Sequence, residues 1–161
     1  NMPARMHAFY LRKMYLENKL REPGGITLDG VPIDLGKVEV PSYFVSAKED
    51  HIAPWHACYS GSRLLSGPTK FVLGGSGHIA GVINPPEKQK YGFWLNGRNP
   101  KDPDAWFNGA KHHEGSWWLD WAKWLSPKRG GEVPARTPGA GKLKPIEDAP
   151  GRYVKESGDG G

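Results

Sequence analysis

Ser42-Tyr43-Phe44-Val45-Ser46-Ala47 and Thr69-Lys70-Phe71-Val72-Leu73 decide the architecture of this chain. Both are short runs without clean polar alternation, the pattern of strands covered on both faces in a parallel sheet. Each ends abruptly in a distinctive loop, Lys48-Glu49-Asp50-His51 after the first and Gly74-Gly75-Ser76-Gly77-His78 after the second. Between them Pro54, with its fixed φ, opens a helix predicted to run through Trp55, Tyr59, Leu64 and Leu65 to a stop at Gly67-Pro68. Strand, loop, helix, strand, loop is a βαβ crossover. Residues 42–78 are therefore expected to form one right-handed unit of a mainly parallel sheet, and the fold class is α/β.

On the amino-terminal side, Met6, Phe9, Tyr10, Met14, Leu16 and Leu20 predict an amphipathic helix over residues 3–20, stopped by Pro23-Gly24-Gly25. Asp29-Gly30, flanked by Ile26-Thr27-Leu28 and Val31-Pro32-Ile33, predicts a hairpin whose second arm Pro32 restricts to an edge. On the carboxyl-terminal side, Val82 to Pro103 is rich in Asn, Pro and Gly and reads as a surface excursion with little regular structure. Helices are predicted over 104–112 and 116–125. In the second, Ser116 is the expected N-cap, and Trp117, Trp121, Trp124 and Leu125 share one face. Residues 1–126 are expected to form one domain portion, and 127–161, Pro, Gly and charge without periodicity, an extended or partly disordered tail.

The 161 residues suffice for one domain. The 22 glycines and 15 prolines disfavour a helical bundle. No apolar stretch approaches the roughly 18 to 20 residues of a membrane span and no signal segment opens the chain, so a soluble, cytoplasmic protein is expected. Asn1 enters directly on a helix-like pattern, as expected of a piece of a longer protein. The net charge of +5 invites a nucleic-acid reading, but residues 26–125 hold ten basic and ten acidic side chains. The excess sits at the two ends rather than along a folded element, so no nucleic-acid partner is expected.

In open parallel sheets, chemistry gathers at the carboxyl ends of the strands. There Asp50 and His78, 28 residues apart, are expected to reach one crevice. An Asp holding the Nδ1 proton of a His fixes the tautomer that lets Nε2 accept a proton from a nucleophile. The same residues also suit an Asp that caps the following helix and a His packed among glycines. Gly75, Gly77 and Gly81 do not match a dinucleotide or phosphate-binding spacing. They read instead as close backbone approach around His78. Trp55, just after the Asp50 loop, is a candidate to line the crevice. Cys58, the single cysteine, lies inside a predicted helix without elbow glycines and reads as a small apolar filler. His51, His56, His112 and His113 lack the spacing of a metal site, so none is expected. The tryptophans of 117–124 read chiefly as core.

Glu49-Asp50-His51-Ile52 with Pro54-Trp55, and Phe71-Val72-Leu73-Gly74 with Ser76-Gly77-His78-Ile79-Ala80-Gly81-Val82-Ile83-Asn84-Pro85-Pro86, resemble the catalytic domain of polyhydroxyalkanoate synthases, class I type. Tyr10-Leu11-Arg12, Tyr15-Leu16-Glu17-Asn18-Lys19-Leu20, Gly115-Ser116-Trp117-Trp118 with Asp120-Trp121, and Pro150-Gly151-Arg152-Tyr153-Val154-Lys155 resemble the same proteins, in order. The resemblance implies the carboxyl-terminal portion of an α/β-hydrolase-fold acyltransferase that polymerises (R)-3-hydroxyacyl-CoA into polyester and releases CoA. It further implies Asp50 as the acid, His78 as the general base, and His51 and Trp55 in the supporting shell. No cofactor beyond the acyl-CoA substrate is implied. The implied setting is a homodimer in the cytoplasm at the surface of polymer granules. The chain departs from the family in lacking the GxCxG nucleophile elbow, so it is expected to need the remainder of the synthase chain and to be inactive alone. An interaction module that holds a partner or the granule through the Trp-rich helix and basic tail is the competing expectation.

Overall fold

The computed structural model describes residues 2–156. The chain divides into two units, residues 1–127 and 128–161. Asn1 and residues 157–161, which the expected domain portion and tail include, lie outside the described residues.

The first unit opens with α1 (Ala4–Tyr10), which continues into a π-helical stretch over Leu11–Leu16 before Asn18 adopts a left-handed conformation. The helix predicted over 3–20 is thus shorter and changes its winding. The wide turn, in which the Glu17 N–H donates to the Arg12 carbonyl at 2.9 Å, brings the rings of Tyr10 and Tyr15 into edge contact at 5.3 Å. None of its residues is buried. The predicted hairpin forms as β1 (Thr27–Leu28) and β2 (Val31–Pro32), antiparallel, with Asp29 and Gly30 both at positive φ, the pair of angles a two-residue turn requires.

β3 (Ser42–Ala47) and β4 (Thr69–Gly74) pair in parallel, with Tyr43 opposite Lys70 and Phe44 opposite Phe71. Between them lies α2 (Trp55–Ser62), preceded by Pro54 and ending before Leu64 and Leu65. The predicted extension to Leu65 fails because Arg63 and Leu64 donate to carbonyls three residues back, tightening the end of the helix. Two strands were not foreseen. β5 (Phe93–Leu95) lies inside the expected excursion and pairs antiparallel with β4, and after α3 (Pro103–Asn108) β6 (Lys111–His113) pairs antiparallel with β5. The sheet, ordered β3-β4-β5-β6, is therefore mixed, and parallel only at its first pair. The helix predicted over 104–112 stops at Asn108. It starts where Asp102 caps it, its carboxylate accepting from the backbone of Asp104 and Ala105. α4 (Trp118–Leu125) closes the unit; its N-cap is Trp117, without a side-chain cap bond, and the expected cap, Ser116, stands one residue earlier, its Oγ accepting from the Trp118 N–H at 3.1 Å.

Side chains alternate across a strand, so Phe44, Phe71 and Leu73 face one side and Tyr43 and Lys70 the other. On the first side they meet Trp55 and Tyr59 of α2 and Trp106 of α3 in an aromatic core, where Trp106 is fully buried and packs edge-on against Phe71 at 5.1 Å. On the second side Asp120 of α4 accepts from the Tyr43 hydroxyl and from Lys70 Nζ, both at 2.7 Å. Desolvation and the Asp120 carboxylate together push the Tyr43 phenol well above its ordinary value. The tryptophans of α4 are not core: no residue of the helix is buried.

In the second unit the described residues form no α-helix or strand; Lys128 ends a 3₁₀ turn begun at Ser126, and another forms at Tyr153–Lys155. No described helix is long and apolar enough to cross a membrane.

Candidate active site

The carboxyl ends of β3 and β4 hold the site. Parallel pairing runs to Ala47 opposite Gly74, and the chains stay joined beyond it: the Lys48 N–H donates to the Gly74 carbonyl at 2.8 Å and the Glu49 N–H to the Ser76 carbonyl at 3.0 Å. The loops carrying Asp50 and His78 are thereby fastened to each other by backbone alone. Asp50 Oδ2 lies 2.8 Å from His78 Nδ1. The Asp50 side chain is only 7 % exposed, whereas that of His78 is 47 % exposed, so the carboxylate is shielded and the imidazole is open.

The other oxygen of Asp50, Oδ1, accepts from the backbone N–H groups of Ile52 and Ala53, each at 2.9 Å. Asp50 therefore holds the imidazole and closes the turn ahead of α2, but it does not cap the helix, whose N-cap is Pro54 without a side-chain bond. The Ala53 N–H, the His78 contact and the Ile52 N–H together bring the Asp50 carboxyl down to about 2 against a smaller opposing effect of desolvation. A carboxylate ionised throughout the neutral range directs Nδ1–H toward itself and leaves Nε2 with its lone pair for proton transfer.

Gly81 shows why glycine recurs here. A Cβ at that position would sit 2.6 Å from both the Ala47 Cβ and the Gly75 carbonyl oxygen. The loop after His78 folds back onto the end of β3 at a distance only glycine allows. The positive φ of the loop falls on Ser76, at 68°, a conformation uncommon for a residue with a side chain and one that concentrates at functional sites.

The remaining candidates are placed differently. His51 is exposed and makes no hydrogen bond to Asp50 or His78. Trp55, 8 % exposed, belongs to the aromatic core beneath the loop, where its ring lies 3.8 Å from that of His56 at a tilt of 30°. Cys58 is half-buried, its Sγ 3.8 Å from the Ala53 carbonyl, and lines an apolar hollow with Leu20, Phe44 and Leu64. Among the described residues no three His, Cys, Asp or Glu side chains gather as a metal site. His56 pairs with Asp104 at 3.1 Å, and His112 and His113 lie beside Trp94 and Phe93 on the sheet. Composition alone gave no sign of the indole N–H groups of Trp117 and Trp118, which donate to the carbonyls of Gly81 and Val82 at 3.1 and 3.0 Å. Their place in the Ser116-Trp117-Trp118 run ahead of an exposed helix face is the signal that marks them.

No family model matches the chain. Individual proteins do. The chain is 48 % identical over 157 residues to a poly(3-hydroxyalkanoate) polymerase subunit PhaC of Cupriavidus necator, covering 96 % of this chain and 26 % of the relative. It is 46 % identical over 155 residues to the protein of the same name from Rhizobium etli, covering 96 % of this chain and 24 % of that relative. It is also 46 % identical over 155 residues to a poly(3-hydroxyalkanoate) polymerase of Methylorubrum extorquens, covering 96 % and 26 %. The chain thus spans about a quarter of the length of the curated relatives it matches, and its likeness to these polymerases extends over nearly all of its own length.

Proposed function

We propose that this chain is the carboxyl-terminal, acid–base portion of a polyhydroxyalkanoate synthase of the class I type, an acyltransferase of α/β-hydrolase fold that polymerises (R)-3-hydroxyacyl-CoA. The observation that carries the reading is the 2.8 Å contact of Asp50 Oδ2 with His78 Nδ1, made by two loops at adjacent parallel strand ends in a chain 48 % identical to a named polymerase. Asp50 orients the ring. His78 Nε2 then takes the proton of a cysteine thiol supplied by the remainder of the synthase chain, and the thiolate attacks the thioester carbonyl. The C–S bond to CoA breaks, and the thiol of CoA leaves with the proton returned by His78. In elongation the same Nε2 removes the proton of the 3-hydroxyl that attacks the acyl-enzyme, forming the ester and freeing the cysteine.

Cys58 is not that nucleophile. Its thiol sits in α2 against an apolar hollow, without the elbow that would present it. These 161 residues alone therefore release no CoA. His51 and Trp55 support the site from the loop and from the core beneath it. The parent is a homodimer in the cytoplasm, at the surface of polymer granules, and needs no cofactor beyond its acyl-CoA substrate.

A second role at the granule surface is favoured by one feature. Val82, Ile83, Trp117, Trp118 and Trp121 line an apolar cleft of about 230 Å³, open at Ile83 and Trp121. The experiment compares CoA release from 3-hydroxybutyryl-CoA by the full-length parent and by this chain, and granule association of the parent carrying Asp50→Ala. Turnover by the parent, none by the chain, and retained association in the variant are expected. Cys58-dependent turnover by the chain alone would overturn the division of labour.

A further inference from the structure

Three consecutive residues, two ahead of α4 and its first, grip three of the four carbonyls that follow the His78 loop. Trp117 Nε1 donates to the Gly81 carbonyl at 3.1 Å, Trp118 Nε1 donates to the Val82 carbonyl at 3.0 Å, and the Ser116 hydroxyl donates to the carbonyl of Asn84. The gripped backbone is a single turn hung from the histidine. The Gly81 N–H donates to the Gly77 carbonyl at 2.9 Å, and the Val82 and Ile83 N–H groups to the Ile79 carbonyl at 3.1 and 2.8 Å. A lone turn leaves its last carbonyls without partners along the chain. Water would satisfy them at a free surface, but here fixed side chains do.

The other end of the grip is equally fixed. Asp120, two residues beyond Trp118, is held by Tyr43 and Lys70, which face each other across β3 and β4 near their starts. The start of α4 therefore works as a strut from the sheet to the turn that follows His78. His78 needs such support, because among the described residues its half-exposed ring has one hydrogen bond, to Asp50. A ring so held keeps its direction only if its own backbone cannot drift.

We infer that Trp118, with Trp117 and Ser116, positions His78 for proton transfer. The inference rests on the reading of His78 as general base and deepens it: the Trp-rich segment acts on the chemistry through the backbone carbonyls of 81–84, besides any contact its exposed ring edges make. Space-filling tryptophans would need no N–H. The donor is therefore what the test isolates: Trp118→Phe removes it together with part of the ring, and benzothienylalanine at position 118 removes it at nearly constant shape.

The test is a double-mutant cycle in the full-length parent, with CoA release from 3-hydroxybutyryl-CoA as the readout, using Trp118→Phe, Asp50→Asn and the two combined. Misplacing a catalytic group by a fraction of an ångström lowers turnover steeply, so Trp118→Phe is expected to lower kcat by about tenfold to a hundredfold, with KM changed less than about twofold. Both substitutions act through the direction of the same ring, so the combined variant is expected within about threefold of Asp50→Asn alone. Losses that multiply, or an unchanged kcat with only a lowered Tm, would overturn the inference. His78→Ala in the same series separates the two readings. If it keeps its activity, the general-base assignment fails; if it is inactive while Trp118→Phe shows no coupling to Asp50→Asn, only the positioning role fails. Should Trp118→Phe fail to fold, benzothienylalanine at position 118, which replaces the indole N–H by sulfur at nearly constant shape, carries the same expectation.

Discussion

The backbone N–H of Glu49 donates to the carbonyl of Ser76 at 3.0 Å, so the residue before Asp50 is tied to the residue two before His78. The Asp50–His78 pair is consequently a property of two joined loops rather than of two side chains reaching across a gap. Ser76 meets this bond at a positive φ, so part of the backbone strain at the site is offset by the link it makes.

Acid stability should report Asp50. Its carboxyl is lowered in the folded protein from 3.8 to about 2, chiefly by the Ala53 N–H and His78. A carboxyl depressed by folding contributes stability that is fully present above its unfolded value and is lost as pH falls through the folded one. Denaturant titrations of the full-length protein between pH 4 and pH 2 (about the span from the unfolded to the folded value) should therefore show a fall in stability that is shallower in Asp50→Asn. An equally steep fall in the variant would assign the acid sensitivity elsewhere.

Gly81→Ala should damage the site by backbone displacement. The added methyl would meet the Ala47 Cβ and the Gly75 carbonyl at 2.6 Å and the Gly77 carbonyl at 2.9 Å, and the latter two are backbone atoms that cannot swing aside. A loss of stability of about 1 to 3 kcal/mol, as for overpacking, and a disproportionate loss of turnover are expected from denaturation and CoA-release assays.

Trp106 should dominate the core. It is fully buried among Tyr59, Phe71 and Trp55, and among the described residues its indole Nε1 has no hydrogen-bond partner. Trp106→Ala is expected to cost about 3 to 5 kcal/mol. Trp106→Phe should cost distinctly less, because it also removes a buried donor whose desolvation is uncompensated. Equal losses in chemical denaturation would contradict that account.

Cys58→Ala in the parent should leave CoA release within about twofold of the unaltered protein, since a thiol that only fills an apolar hollow is replaceable by a small apolar group. A loss of several orders of magnitude would make Cys58 a nucleophile after all.

Much of this was legible in the chain itself, for physical reasons that differ by element. β3 and β4 announce themselves by compact apolar runs that end in loops, and Asp29-Gly30 announces a hairpin because few dipeptides tolerate two positive φ angles. The Asp50–His78 pairing followed from the position of both residues at parallel strand ends. β5 and β6 were hidden because three residues carry no periodicity, and their pairing comes from the free edge of β4 rather than from their own composition. Lys111-His112-His113 offers no strand pattern at all; the rings of Phe93 and Trp94 beside the two histidines give it its place. The tryptophans of α4 misled in the opposite sense. Helical spacing marks an apolar face but not what covers it, and here Trp121 is 42 % exposed.

The most direct measurement is CoA release from 3-hydroxybutyryl-CoA by the full-length parent, unaltered and as His78→Ala, with folding matched by thermal unfolding. With His78 as the proposed general base, its removal should lower turnover by several orders of magnitude. Retained turnover in the His78→Ala variant would contradict the assignment of Asp50 and His78 as the acid–base pair.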